Sequence, residues 1–61
     1  MSHKSEFLLI SKDEIGDVSI DWYGTEIDLI ITAHDVVRFG GEIILSTEIE
    51  GRRDIHIEVE E

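Results

Sequence analysis

The stretch Val18-Ser19-Ile20-Asp21-Trp22-Tyr23-Gly24-Thr25-Glu26-Ile27-Asp28-Leu29-Ile30-Ile31 decides how this chain is read. Val18, Ile20 and Trp22 alternate with Ser19 and Asp21, a period of two that predicts a half-buried strand. Ile27, Leu29 and Ile31 alternate in the same way with Glu26, Asp28 and Ile30. Between the two runs, Gly24-Thr25 suits a two-residue type II′ turn, which wants Gly first. That turn pairs Trp22 with Ile27, Ile20 with Leu29 and Val18 with Ile31, so each core-facing residue meets another.

Upstream, a four-residue turn Asp13-Glu14-Ile15-Gly16 sets Lys12 opposite Asp17, Leu9 opposite Ile20 and Phe7 opposite Trp22. The three strands then form a meander. Downstream, a three-residue turn Gly51-Arg52-Arg53 puts Ile49 opposite Ile55, Thr47 opposite Ile57 and Leu45 opposite Val59. A two-residue turn mismatches the faces, and register is strongly specified when one face is buried. Between meander and hairpin, Thr32 followed three residues later by Asp35 resembles a capping box, and Gly40 is placed to end a short helix. A bent strand through Val36, Val37 and Phe39 is the competing reading. The expected fold is a β-rich α+β domain: a small antiparallel sheet in the order β-β-β-α-β-β, with a three-stranded meander, a short helix and a C-terminal hairpin.

Size and composition bound the rest. Sixty-one residues make one domain, with residues 1–5 expected as a mobile terminus. A chain this short buries roughly 60% of its unfolded surface, which leaves a thin core. No cysteine is present, so disulfides and cysteine-based metal sites are excluded, and oligomerisation is the remaining support. The longest apolar run, Phe7 to Ile10, is far too short for a signal-peptide core or a membrane span, so the default is a cytoplasmic protein. Fifteen acidic against five basic residues give a formal charge of −10. Such a field repels nucleic acid and anionic membrane and attracts basic surfaces. Halophilic adaptation is a bland source of the charge, but eleven isoleucines fit it poorly.

With Phe7, Leu9, Val18, Ile20, Trp22, Ile27, Leu29, Ile31, Ile43, Leu45, Ile49, Ile55, Ile57 and Val59 assigned to the core, Leu8, Ile10, Ile30 and Ile44 are left over on the other face. A patch of this kind marks a contact. Its occupant is the chain's own helix, a second copy or another protein; a homo-oligomer is expected.

Candidate chemistry is sparse. His3, His34 and His56 are the ordinary candidates for base or metal chemistry near neutral pH. His56, Glu58 and Glu60 form a row on one strand face, with Glu48 opposite. Residues two apart on a strand lie about 6.5 Å from each other, too far to converge readily on one ion, so no metal site is assigned. His34-Asp35 reads as part of a helix start. The many carboxylates lack the apolar cleft that general acid catalysis needs, and no phosphate-binding glycine motif occurs. No enzyme and no cofactor are expected. Arg52 and Arg53 read as relief for Glu50 and Asp54.

Two functional classes follow. The first is an acidic inhibitor or regulator whose ordered carboxylates, Asp17, Asp21, Glu26 and Asp28 on one sheet face with Tyr23 as an anchor, mimic a polyanion. It would block the basic, nucleic-acid-binding surface of another protein. Small inhibitors encoded by phages and mobile elements share this general character, though no motif links the chain to any of them. The second is a homo-oligomeric structural or assembly protein that associates through Leu8, Ile10, Ile30 and Ile44.

Overall fold

Asp13 shapes the first turn. Its side-chain Oδ1 accepts from the backbone N–H of Ile15 at 3.0 Å and of Asp17 at 2.8 Å. Its backbone N–H donates to the Asp17 carbonyl at 2.9 Å, and Gly16 follows at φ 97°, a conformation that glycine adopts without a Cβ clash. In the computed structural model, which describes residues 6–57, this loop joins β1 (Phe7–Lys12) to β2 (Val18–Tyr23).

The loop is one residue longer than the sequence suggests, and the consequence is large. Lys12 pairs with Val18 instead of Asp17, so Leu8 faces Trp22 and Ile10 faces Ile20, while Leu9 faces Asp21 and Phe7 faces Tyr23. A one-residue slip sends every side chain to the other face. Val18, Ile20 and Trp22, expected in the core with Phe7 and Leu9, therefore lie across the sheet from them.

Residues 27–31 also differ from the expected strand. They are not a third strand but the first half of α1 (Glu26–Arg38). Thr25 caps it, in extended conformation, with Oγ1 accepting from the Asp28 N–H at 3.2 Å. Glu26 and Asp28 in the first turn and Arg38 in the last complement the helix dipole. Leu29, Ile30, Ala33, Val36 and Val37 form one helical stripe, with Leu29 and Ala33 fully buried. Ile27 and Ile31 are spaced four apart on the outer stripe and are 68% and 57% exposed. Gly24-Thr25 is thus a helix entry rather than a hairpin turn. The helix ends as expected at Gly40, φ 95°, with Gly40 N–H on the Val37 carbonyl and Gly41 N–H on that of Val36.

The helix carries the chain over β1 to β3 (Glu42–Glu48), which pairs antiparallel with the other edge of β1. β2 and β3 are consequently parallel to each other, an arrangement that requires a crossover connection. A two-residue strand, β4 (Arg53–Asp54), pairs with β3 and completes an antiparallel sheet in the order β2-β1-β3-β4. The class is the expected one, a small antiparallel sheet with one helix, but the helix follows an N-terminal strand pair in place of the expected three-stranded meander.

The hairpin register also differs. Thr47 pairs with Asp54 and Glu48 with Arg53, across a four-residue loop in which Arg52 takes φ 54°. This odd shift separates Leu45 from Ile55. Ile55 is buried and Ile57 packs on the core, while Leu45 and Ile49 are exposed. Val59, the expected partner of Leu45, lies outside the described residues, as do residues 1–5.

Among the described residues, the buried apolar side chains are Leu9, Leu29, Ala33 and Ile55, with Phe7, Tyr23, Ile30, Ile43 and Ile57 packed around them. They come from the helix, from the sheet face beneath it and, for Ile55 and Ile57, from the segment after β4. No helix among the described residues is long and apolar enough to cross a membrane.

Candidate functional site

Two surfaces stand out, one on each side of the sheet. On the helix side, β2 is the edge strand, and its Ser19 and Asp21 point toward the C-terminal half of α1. Thr32 and Asp35 approach from the helix, and Asp13 and Glu14 from the first turn. Together with Ser11 they line an open cleft of about 290 Å³, floored by Val36, Phe39 and Gly41. Four carboxylates border it and no basic side chain does. Asp35 has a neighbour in Arg38, but at 3.9 Å between two exposed groups that pair neutralises little.

The expected carboxylate array is arranged differently. Asp21 is in the cleft. Asp17 belongs to the turn, where its N–H is held by Asp13. Glu26 and Asp28 are on the helix, not on a sheet face. Glu26 is engaged: its Oε1 accepts from Arg53 Nη2 at 2.8 Å, while Arg53 Nε donates to Glu48 Oε1 at 2.9 Å. These two hydrogen bonds, to Glu26 and then Glu48, raise the Arg53 pKa further and tie β4 and β3 to the helix start. Arg53 thus serves Glu26 and Glu48 rather than Glu50 and Asp54. Tyr23, expected as an exposed anchor with Trp22 in the core, is half-buried against the core, and Trp22 is 52% exposed.

Asp13, Glu14 and Asp35 were missed as partners of Asp21. The signal lay in the helix: Asp28, Thr32 and Asp35 are spaced four and three apart, one face of a helix, and become visible only once residues 26–31 are helical.

Among the described residues, no element packs on the opposite side of the sheet. Leu8 and Ile10 of β1 are flanked by Trp22, Ile20 and Val18 of β2 and by Leu45 of β3. Ile44 is the extra residue of a bulge, because the register passes from Ile10–Leu45 to Ser11–Ile43. Val18, Ile20, Trp22 and Ile44 are at least half exposed. Three of the four expected self-association residues, Leu8, Ile10 and Ile44, therefore share this surface. Ile30 does not; the helix turns it toward the core.

His34 and His56 are exposed, and His3, Glu58 and Glu60 lie outside the described residues. Among the described residues no group of three or more His, Asp or Glu side chains is placed to hold a metal ion. The cleft carboxylates are exposed, unlike the apolar enclosure that a general acid requires.

No known protein family matches this chain, and no curated protein or solved structure matches it significantly.

Proposed function

We propose that this chain is a non-catalytic acidic regulator that binds a protein through that protein's basic surface. The observation that carries the reading is the cleft between β2 and α1, where Asp13, Glu14, Asp21 and Asp35 converge around Ser11, Ser19 and Thr32 with no basic side chain in the lining. An open acidic cleft of this size accepts a lysine or arginine side chain, and the −10 field steers such a surface toward it at long range. The basic surfaces of proteins that handle nucleic acid match this chemistry, because phosphate neutralisation gathers Lys and Arg on them.

The test is binding of a lysine-rich basic protein at low and high salt by the native chain and by the Asp21→Lys/Asp35→Lys double variant. Binding that fades with salt and is abolished by the double reversal is expected. Equal binding by native and reversed chains overturns the reading.

A second reading, a small self-assembling structural protein, is favoured by the apolar sheet face opposite the helix. It assigns the charges to solubility alone.

A further inference from the structure

The open sheet face is a grid. Across β2, β1 and β3 its rows read Trp22-Leu8-Thr47, Ile20-Ile10-Leu45 and Val18-Lys12-Glu42. The middle row is aliphatic throughout, Ile44 widens it at the bulge, and the charged strand residues on this side are confined to Lys12, Glu42 and, beyond Thr47, Asp54. Lys12 and Glu42 sit opposite each other in the register. Asp21, Glu48, Asp13 and Glu14 point away, toward the helix side. Among the described residues, most of the carboxylates are therefore held off this face, which is what association of two copies demands.

We propose that the face is closed by a second copy of this chain, sheet against sheet about a two-fold axis that passes beside the Ile20-Ile10-Leu45 row. This goes beyond the regulator reading and does not rest on it. Three arguments favour a copy over a foreign protein. Apolar meets apolar in such a contact, so one patch complements itself, as an isologous interface requires. Val18, Ile20, Trp22, Ile44 and Leu45 are 39–63% exposed, so covering them on both copies removes on the order of 1,000 Å², the least that a biological interface should bury. Finally, four buried apolar side chains among the described residues form a small core for a chain of this length without disulfides. The missing layer is needed whenever the chain is folded, and a second copy is the one partner always present.

Trp22 is the only tryptophan, so its emission reports directly on this face. Sedimentation and Trp22 fluorescence over a dilution series of the native chain, with thermal melts at each concentration, form the experiment. The expected result is a monomer–dimer equilibrium in which emission moves to the blue and the melting temperature rises as dimer forms. Ile20→Lys and, separately, Leu45→Lys should weaken the dimer by about tenfold or more, while helix circular dichroism at high concentration is kept. A chain that stays monomeric at every concentration overturns the proposal. So does a dimer that leaves Trp22 emission unchanged or that survives both lysines, since it uses another surface. The Asp21→Lys/Asp35→Lys variant should still dimerise, so failure of the dimer and failure of the regulator reading are separable.

Discussion

At residue scale, Asp13 and Gly16 determine the faces of the two N-terminal strands. The Asp13 carboxylate accepts from the N–H groups of Ile15 and Asp17, its own N–H donates to the Asp17 carbonyl, and Gly16 supplies the positive φ. A turn at Asp13–Gly16 was legible from residue types alone. Its length was not, because the pairing of Asp13 with Asp17 rather than Lys12 with Asp17 depends on that hydrogen-bond geometry. A second residue-scale effect concerns Glu6. Its pKa is raised above the ordinary 4.5, first by a hydrogen bond with Glu50, then by the like charge of Glu50, with desolvation and Glu48 adding less. A raised folded-state pKa means a contribution present below the ordinary value and lost as pH climbs through the raised one. Glu6→Gln should therefore increase the melting temperature relative to the native chain by a margin that widens as pH rises above the ordinary carboxylate value. Paired thermal melts across that rise check it; a margin that is constant or shrinks with pH contradicts the Glu6–Glu50 coupling.

The element that sequence periodicity misassigned is the first half of α1. Ile27, Leu29 and Ile31 satisfy a period of two, yet Leu29, Ala33 and Val36 satisfy the helical one over a longer span, and length is the better arbiter. Thr25 and Asp28 carry the same Thr-x-x-Asp spacing as Thr32 and Asp35, seven residues earlier. The earlier pair is the cap because β2 and β3 are parallel on either side of β1, and a crossover of full helical length must join them. Thr25→Ala should cost about 1 kcal/mol, a fall of about 4–8 °C in melting temperature for a domain of this size. The same substitution at Thr32, which makes no capping bond, should cost less. Equal losses at both positions would place the cap elsewhere.

On the scale of the whole molecule, the two faces respond oppositely to salt. Screening weakens attraction between the acidic cleft and a basic protein, and it relieves repulsion between two copies that each carry −10. Raising salt should release a basic partner and tighten the dimer in the same preparation, which sedimentation with and without the partner reads. If both contacts weaken together, the self-association is electrostatic and the apolar face is not its seat. The sequence by itself determined the acidic field, the lack of disulfide or thiolate chemistry, the α+β class, the helix stop at Gly40 and an apolar surplus that includes Leu8, Ile10 and Ile44. These depend on composition and on residue types with strong local preferences. Only the tertiary structure decided that Val18, Ile20, Trp22 and Leu45 join that surplus, and that Asp13, Glu14, Asp21 and Asp35 share a cleft. Face assignment in a sheet turns on single-residue register, and register is settled by loop hydrogen bonds and by the path of a crossover, neither of which a local pattern contains.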